Sequence, residues 1–327
     1  MIMPPKVTDF DREIWADELE DFVPEKVFDA HCHLWDEKLA GGNEDINSAL
    51  RLNIDYRKLY DLSAEIFPDR ELGFLLLPTP LAKMDTVKCN IFMGEQAALS
   101  PHHTASAIAT PEMTAEYLAE TVKKHNLCGL KVYRSFADDP ANCRIADYFP
   151  EHLMEVADAE KLAVTLHMSR FDGPADKYNL EDLKDYTARY PGIRWILAHC
   201  ARGFNCFTLE KSIHILKHLP NLWFDTSAVC DTYSHYLILK HIAPDRIFFG
   251  TDNICAGAVH GNYVTWGRAW EYYAAEKKLE HCRADFTMVV YEQLRAQKHA
   301  AEMAGLDAAA IKDIFWNNAA KFFNFDK

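Results

Sequence analysis

The chain has 327 residues, of which 49% are hydrophobic and 26% carry a charge, the composition of an ordinary globular protein. Its 49 acidic residues outnumber 35 basic ones, giving a formal net charge of −14 at pH 7. This charge argues against nucleic acid and anionic membrane surfaces as partners, although a local basic patch could still hold a small anion.

The N-terminal segment and the cysteines indicate the cellular compartment of the protein. Residues 1–22 are acidic and lack the basic and apolar regions of a secretory signal. No apolar run approaches the roughly 20 residues needed to cross a bilayer. The nine cysteines form no CxxC pair, which is typical of a reducing compartment and not of a disulfide framework or a zinc ribbon. We therefore predict a cytoplasmic protein with no membrane partner.

Eight short apolar runs rich in β-forming residues recur along the chain, and each is followed by a helical or loop stretch. They are residues 27–33, 71–78, 104–110, 128–134, 162–168, 193–200, 221–228 and 245–252. The ends of successive runs lie 24 to 45 residues apart, which leaves room for a crossover helix and a return. Amphipathic segments between the runs predict helices at residues 113–126, 179–191 and 210–220.

Strands alternating with helices predict an α/β fold. The predicted architecture is a closed (β/α)8 TIM barrel, and an open doubly wound sheet is the alternative. Nothing marks a domain boundary, so residues 1–327 are assigned to one domain, with an N-terminal extension at 1–26 and C-terminal helices packed on the barrel at 285–327. Residues 34–62 and 253–268 break the rhythm and are expected to lie over the barrel mouth as lid loops.

Five residues at or near the ends of these runs are suited to binding a metal. Side chains alternate along a strand, so His31 and His33 point to the same face. Three other runs end near His167, His199 and Asp252. In a closed barrel the C-terminal strand ends converge on one mouth, where residues distant in sequence can meet around one ion.

Imidazoles with a carboxylate suit Zn²⁺, while Mn²⁺, Fe²⁺ and Co²⁺ stay open as alternatives. Zinc lowers the pKa of bound water to about 7 and so makes hydroxide available. Asp252 could serve both as a ligand and as the base that takes the water proton. His199 would then orient or polarise the substrate from the other side.

Several segments resemble the amidohydrolase superfamily and, within it, the amidohydrolase-2 branch. They are FDAHCHLWD at the first run, LKVY at the fourth, TLHMS at the fifth, ILAHC at the sixth, FFGTDN at the eighth, and the tail IKDIFWNNAAKFF. The resemblance implies that His31, His33, His167 and Asp252 hold a metal and that His199 acts in catalysis or binds a second metal. The branch includes aminocarboxymuconate semialdehyde and resorcylate-type decarboxylases, hydratases, and lactone or amide hydrolases, so the reaction stays open.

Lys131 in the fourth run has two interpretations. Some binuclear members of the superfamily carry a fourth-strand lysine that CO₂ carboxylates and that bridges two metals, and Lys131 resembles it in position. The alternative, which we favour, is a charged lysine that binds a substrate carboxylate or a neighbouring acid beside a single ion.

Four further residues near predicted strand ends are candidates for binding substrate: Tyr133, Arg134, Arg170 and Arg202. Guanidinium groups form paired hydrogen bonds with carboxylates, so several arginines at the mouth of an acidic protein favour a small substrate that bears a carboxylate.

Three hypotheses about function follow. The first is a metal-dependent hydrolase of a small amide or lactone, and the second is a nonoxidative decarboxylase of a small unsaturated or aromatic carboxylic acid. The third is a noncatalytic barrel that binds a metabolite. The GxGxxG, GxxxxGK[ST], GxSxG and HExxH motifs of other enzyme classes are absent from the sequence. A homodimer is expected on general grounds.

Overall fold

Eight parallel strands form the centre of the fold, and each coincides with one of the apolar runs. The computed structural model describes residues 5–39, 41, 53–81, 83–102, 104–254, 256–274, 280–282 and 285–325. The strands are β1 (Lys26–Leu34), β2 (Glu71–Pro78), β3 (Ser106–Ile108), β4 (Gly129–Tyr133), β5 (Ala163–His167), β6 (Arg194–Leu197), β7 (Leu222–Asp225) and β8 (Ile247–Phe248).

Hydrogen bonds close these strands into a barrel. β1 pairs with β2, and β3 to β8 pair in chain order as a 6-stranded parallel sheet. Parallel bridges join the two sheets at Leu76–Ala105 and at Cys32–Asn253. The His33 amide reinforces the second bridge by donating to the Asn253 carbonyl at 2.6 Å. The predicted (β/α)8 barrel is confirmed, and its strands end at one common mouth.

Helices lie between successive strands and at both ends of the chain. They are α1 (Asp9–Ile14), α2 (Tyr56–Ile66), α3 (Thr86–Ala97), α4 (Ala115–Lys124), α5 (Ile145–Tyr148), α6 (Glu151–Ala159), α7 (Lys177–Arg189), α8 (Cys206–Leu216), α9 (Thr232–His241), α10 (Val289–Ala304), α11 (Ala308–Lys312) and α12 (Asn318–Phe323). The three predicted helices correspond to α4, α7 and α8. Thr114, Asp176 and Asn205 cap their first turns by accepting backbone N–H groups, which sets where each begins.

The C-terminal helices close the end of the barrel opposite the mouth. Phe28, near the start of β1, lies 6.3 Å from Trp316 and 5.7 Å from Phe323 between ring centroids. In the same region, the rings of Phe248 and Phe322 lie 5.1 Å apart. The assignment of residues 1–327 to one domain stays a prediction, which these contacts favour.

The N-terminal extension packs on α10. The Asp11 carboxylate accepts the Met288 amide at 3.0 Å, and the Trp15 ring lies 6.0 Å from that of Tyr291. Residues 1–4 of the extension and 326–327 of the C-terminal segment lie outside the described residues. Within the described part of the chain, no helix has the length and apolar character needed to cross a membrane.

The two predicted lid segments differ in what the structure shows. Residues 40 and 42–52 of the first lie outside the described residues, as does residue 255 of the second. The second segment is not a simple loop, because it leads into an antiparallel hairpin of β9 (Gly261–Trp266) and β10 (Ala269–Ala274). The cross-strand pair Tyr263 and Tyr272 shares one face of this hairpin with Trp270.

Candidate metal centre

A cavity of about 340 Å³ lies at the barrel mouth, and we call it the catalytic cavity. Among its lining residues are His33, His167, His199 and Asp252, all four of them candidates from the sequence. His31 is completely buried, and its ring lies 5.2 Å from that of His33 and 4.8 Å from that of His199. The fold therefore gathers five side chains from four separate segments at one place.

The shortest distances centre on Asp252. Its Oδ1 atom lies 3.2 Å from His33 Nε2 and 3.5 Å from His31 Nε2. His31, His199 and Asp252 offer ligand atoms that all lie within 4.8 Å of one another. The ring of His167 lies 5.2 Å from that of His199. The most compact group of three thus contains His199, to which the resemblance gave a catalytic or second-metal role.

Each of the four histidines has its Nδ1 atom within hydrogen-bond distance of an oxygen acceptor. The pairs are His31 with Asp225 Oδ2 at 2.9 Å, His33 with the Pro78 carbonyl at 3.0 Å, His167 with the Met168 carbonyl at 3.2 Å, and His199 with the Ser227 carbonyl at 3.1 Å. An acceptor at Nδ1 places the proton there and leaves the lone pair on Nε2, the arrangement of metal-binding histidines.

Burial keeps these imidazoles neutral. It lowers the pKa of His31, His33 and His167 below the ordinary value of histidine, and it lowers the pKa of His199 to about 4. Burial alone would raise the pKa of Asp252, but the surrounding imidazoles, His199 first, bring it below its usual range. At neutral pH the centre therefore offers neutral nitrogens and a carboxylate, the protonation states that metal binding requires.

The contact between His33 and Asp252 tests whether a cation fits. His33 donates from Nδ1 to Pro78, so its Nε2 lone pair faces the Asp252 carboxylate at 3.2 Å. Two acceptors at this distance repel each other unless a proton or a cation lies between them. The donor set therefore fits a divalent ion.

Asp225, which the sequence analysis did not single out, holds two of these histidines. It is completely buried at the end of β7. Its Oδ2 atom accepts from His31 Nδ1, while Oδ1 accepts the backbone amides of His199 at 3.0 Å and Ser227 at 3.1 Å. Burial opposes ionisation of Asp225, but His31 lowers its pKa below the usual range. Asp225 lies in the seventh run, so the rule that selected the other candidates would also have found it.

His199 and Asp252 lie beyond the ends of their strands, which corrects the predicted runs 193–200 and 245–252. β6 ends at Leu197, and His199 begins four consecutive residues with φ between 49° and 62°. β8 ends at Phe248, and Asp252 has φ 61°. Left-handed backbone costs a residue other than glycine roughly 1–2 kcal/mol. Such strain is often concentrated at functional sites, where it directs a side chain.

Lys131 is buried inside the barrel, with 1% of its surface exposed. Its Nζ atom lies 3.0 Å from His31 Nε2. Burial lowers the pKa of Lys131 to about 8, although Asp252 and Asp225 oppose the shift. The residue therefore lies where either predicted role is possible, as a carboxylated bridge or as a charged partner, and both stay predictions.

The four candidates for substrate binding differ in position. Tyr133 lines the catalytic cavity, and its ring lies 4.7 Å from that of His167. Arg134 donates to the Pro140 carbonyl at 3.0 Å, and Arg170 pairs with Asp176 at 2.9 Å. These two arginines and Arg202 are not among the described residues that line the catalytic cavity. Their role in substrate binding stays a prediction.

Aromatic side chains, also missed in the sequence, cover one side of the cavity. Phe204, Tyr263 and Trp270 line it, the last two from the hairpin. Phe204 stacks on Trp270 with ring centroids 4.2 Å apart, and it lies 5.3 Å from the His199 ring. The hairpin is thus connected to the metal centre through a continuous stack of rings.

The buried histidines predict that acid destabilises the fold. His235, outside the centre, is completely buried, and burial lowers its pKa to about 4. Between pH 4 and the ordinary value near 6.5, the unfolded chain binds a proton that the folded chain does not. The free energy of unfolding should therefore fall as the pH drops through this window, by up to about 1.4 kcal/mol per pH unit for this one group.

Urea unfolding at a series of pH values measures this slope. We expect the variant H235Q to show a shallower slope than the original chain. H218Q is the control, because it replaces a histidine that is exposed after α8. Equal slopes for H235Q and the original chain would contradict the prediction.

Comparisons with known proteins agree with this geometry. The family model described as amidohydrolase matches residues 28–325. No curated protein matches the chain. Among solved structures, the fold is similar to 5-carboxyvanillate decarboxylase from Sphingomonas paucimobilis, with TM-score 0.55, 12% identity, and coverage of 92% of this chain and 100% of that one.

Two further structures show the same fold. 4-Oxalomesaconate hydratase from Rhodopseudomonas palustris has TM-score 0.52 and 15% identity, with 91% of this chain and 95% of that chain covered. A dihydroxybenzoic acid decarboxylase from Polaromonas sp. JS666, with bound manganese and the inhibitor 2-nitroresorcinol, has TM-score 0.52 and 18% identity, with 93% and 98% covered. At these identities the likeness establishes the fold.

Proposed function

Because the chain belongs to the amidohydrolase family, whose model covers residues 28–325, we propose that it is a metal-dependent hydrolase of an amide or lactone bond in a small substrate that bears a carboxylate. The observation that carries the proposal is the position of Asp252, an anionic carboxylate in the cavity among neutral imidazoles that carry their lone pairs on Nε2. Membership in a family of enzymes favours this reading over the noncatalytic barrel.

We assign the metal to His31, His33, His167 and Asp252. When bound, the ion supplies Lewis acidity and lowers the pKa of water at this position. Zn²⁺ suits the ligands best, and the manganese in the decarboxylase of similar fold makes Mn²⁺ the main alternative. We propose one ion per chain, with Lys131 as a charged neighbour, and two ions only if Lys131 is carboxylated.

Asp252 and His199 have separate roles in the proposed reaction. Asp252 is the general base: it takes a proton from the attacking water and returns it to the leaving group. Ser227 fixes the Nδ1 proton of His199, so Nε2 presents a lone pair to the cavity and can accept a hydrogen bond from water or substrate. His199 therefore orients the reactants within the cavity.

A nonoxidative decarboxylase is the second candidate, and the aromatic wall of the cavity favours it. Phe204, Tyr263 and Trp270 offer ring faces against which a planar unsaturated acid can stack. Two of the proteins with similar folds are decarboxylases of aromatic acids by name. In this reaction the same cavity would hold the carboxylate and a protein group would protonate the carbon.

Metal removal and product analysis distinguish the candidates. We expect purified protein to contain about one divalent ion per chain by elemental analysis. Cleavage of a lactone such as dihydrocoumarin, or of small N-acyl amino acids, should stop with a chelator and return with Zn²⁺ or Mn²⁺. CO₂ release from a dihydroxybenzoic acid without such cleavage would establish the decarboxylase instead. Protein that holds no metal and gains none on dialysis would favour the noncatalytic barrel.

The oligomeric state and the cellular location of the protein are also proposals. We propose a homodimer, because closed two-fold assemblies are the commonest. We propose a cytoplasmic location, which the free thiols of the described cysteines support.

A further inference from the structure

A second cavity of about 350 Å³ lies beside the catalytic cavity, and we call it the basic cavity. Three cationic side chains, Arg202, Lys211 and Arg268, line it together with one carboxylate, Asp172. The whole chain has a net charge of −14, so this local excess of positive charge is opposite in sign to the average surface. Such a cavity raises the local concentration of anions.

The three cations have no carboxylate partner in the part of the chain that the structure describes. Arg202 donates from Nη1 to the carbonyls of Ser169, at 3.2 Å, and Arg170. These bonds hold its guanidinium between the loops that follow β5 and β6, and they leave its other nitrogens available. Arg202 is therefore held in place, whereas Lys211 and Arg268 are exposed side chains.

Trp270 is a wall shared by the two cavities, because it lines both of them. Its stack on Phe204 fixes the hairpin, and Asn205 Nδ2 donates to the Arg268 carbonyl at 2.9 Å. The hairpin turn, which carries Arg268, is thus tied to the start of α8, which carries Lys211. A site that is preformed in this way binds without the cost of ordering its loops.

We propose that the basic cavity binds a second carboxylate, at the distal end of a substrate whose reacting bond lies in the catalytic cavity. The proposal rests on the proposed function and narrows its substrate to a dicarboxylic class. Arg202 and Arg268 offer planar N–H pairs that match a carboxylate, and Lys211 adds a point charge. Phe171 and Phe207, both exposed, lie at the rim of the same cavity.

Binding of paired probe acids to the metal-loaded protein tests the proposal. Calorimetry compares linear α,ω-dicarboxylates of four to ten carbons with monocarboxylates of equal length. At the length that spans the two cavities, we expect the dicarboxylate to bind about tenfold more tightly, the effect of one charge-assisted contact. R268Q and K211Q should remove most of this advantage and leave the affinity for the monocarboxylate unchanged.

Lys240 provides the matched control, since it is exposed at the end of α9 and outside both cavities. K240Q changes the net charge equally and should retain the advantage. Inorganic phosphate is a second probe, which should compete with the dicarboxylate.

Several outcomes would overturn the subsite: no advantage at any length, an advantage that R268Q and K211Q retain, or phosphate bound together with the dicarboxylate. The readout is binding, so it separates the two proposals. A protein that shows the expected binding but cleaves no amide or lactone contradicts only the proposed hydrolase activity. An active hydrolase that binds dicarboxylates no more tightly than monocarboxylates contradicts only the proposed subsite.

Discussion

Replacing Asp252 with Asn is expected to lower kcat/KM for hydrolysis by about 10³-fold or more. A positioned general base contributes roughly 10² to 10⁴ in rate, and this substitution also removes the anionic ligand from the centre. The asparagine is nearly the same size as the aspartate, so the packing around it should persist. Steady-state kinetics with metal analysis of the same sample measures both losses.

Asp245 provides the control for this substitution, because it is exposed and precedes the start of β8, whereas the mouth lies at the other end of the strands. D245N should retain the activity and metal content of the original chain. If D252N also retained full activity, Asp252 would be neither base nor essential ligand, and the proposed mechanism would be wrong.

The barrel and the meeting of its five candidate residues were predictable from sequence because both follow from strand periodicity. The spacing of the apolar runs required crossover helices, and parallel strands in a closed barrel share one mouth. His31 and His33 followed from alternation within β1. Residues more than 200 positions apart, such as His31 and Asp252, could therefore be placed together without knowledge of any contact.

The exact ends of β6 and β8 were not predictable in this way. Each strand stops before its functional residue, and His199 and Asp252 then adopt left-handed backbone. The local sequence contains no glycine at these two positions to mark the change, and left-handed conformations of other residues are held by their surroundings. The backbone amide of His199 donates a hydrogen bond to the Asp225 carboxylate on the neighbouring strand, and this bond supplies part of that support.

The hairpin and the arginines show two different reasons for incomplete prediction. The segment NYVTWGRAWEYY carries β-branched and aromatic residues before Gly267 and aromatic residues after it, which is a hairpin signal. The arginines carried no comparable signal. Arg134 and Arg202 bond to backbone carbonyls that become available only when the loops fold, and sequence position alone does not determine where a long side chain ends.

Replacing Asp225 with Asn is expected to weaken metal binding by about 10- to 100-fold, the usual effect of losing a group that orients a ligand. The Oδ1 side of Asp225 faces the amides of His199 and Ser227, so the oxygen of an asparagine must lie there. Its NH₂ group would then face His31 Nδ1, at the position now taken by Oδ2. A donor at this position forces the His31 proton onto Nε2, and a protonated Nε2 cannot bind a metal.

Nitrogen NMR of the imidazoles and metal titration of D225N test this prediction together. The original chain should show His31 protonated at Nδ1, and D225N should show it protonated at Nε2, with the weaker metal affinity in the same sample. A loss of affinity without the change of tautomer would mean that Asp225 acts by charge alone.

Asp29 offers a matched buried carboxylate as the control. It accepts the His31 amide at 3.0 Å and the Thr251 amide at 2.9 Å through one oxygen, and its other oxygen faces the Thr251 hydroxyl. Burial raises the pKa of Asp29 to about 7, so it is already partly neutral at neutral pH. An asparagine here can donate to the Thr251 hydroxyl, which accepts as readily as it donates. D29N should therefore preserve the His31 tautomer and the metal affinity, because Asp29 holds the backbone of His31 whereas Asp225 holds its ring.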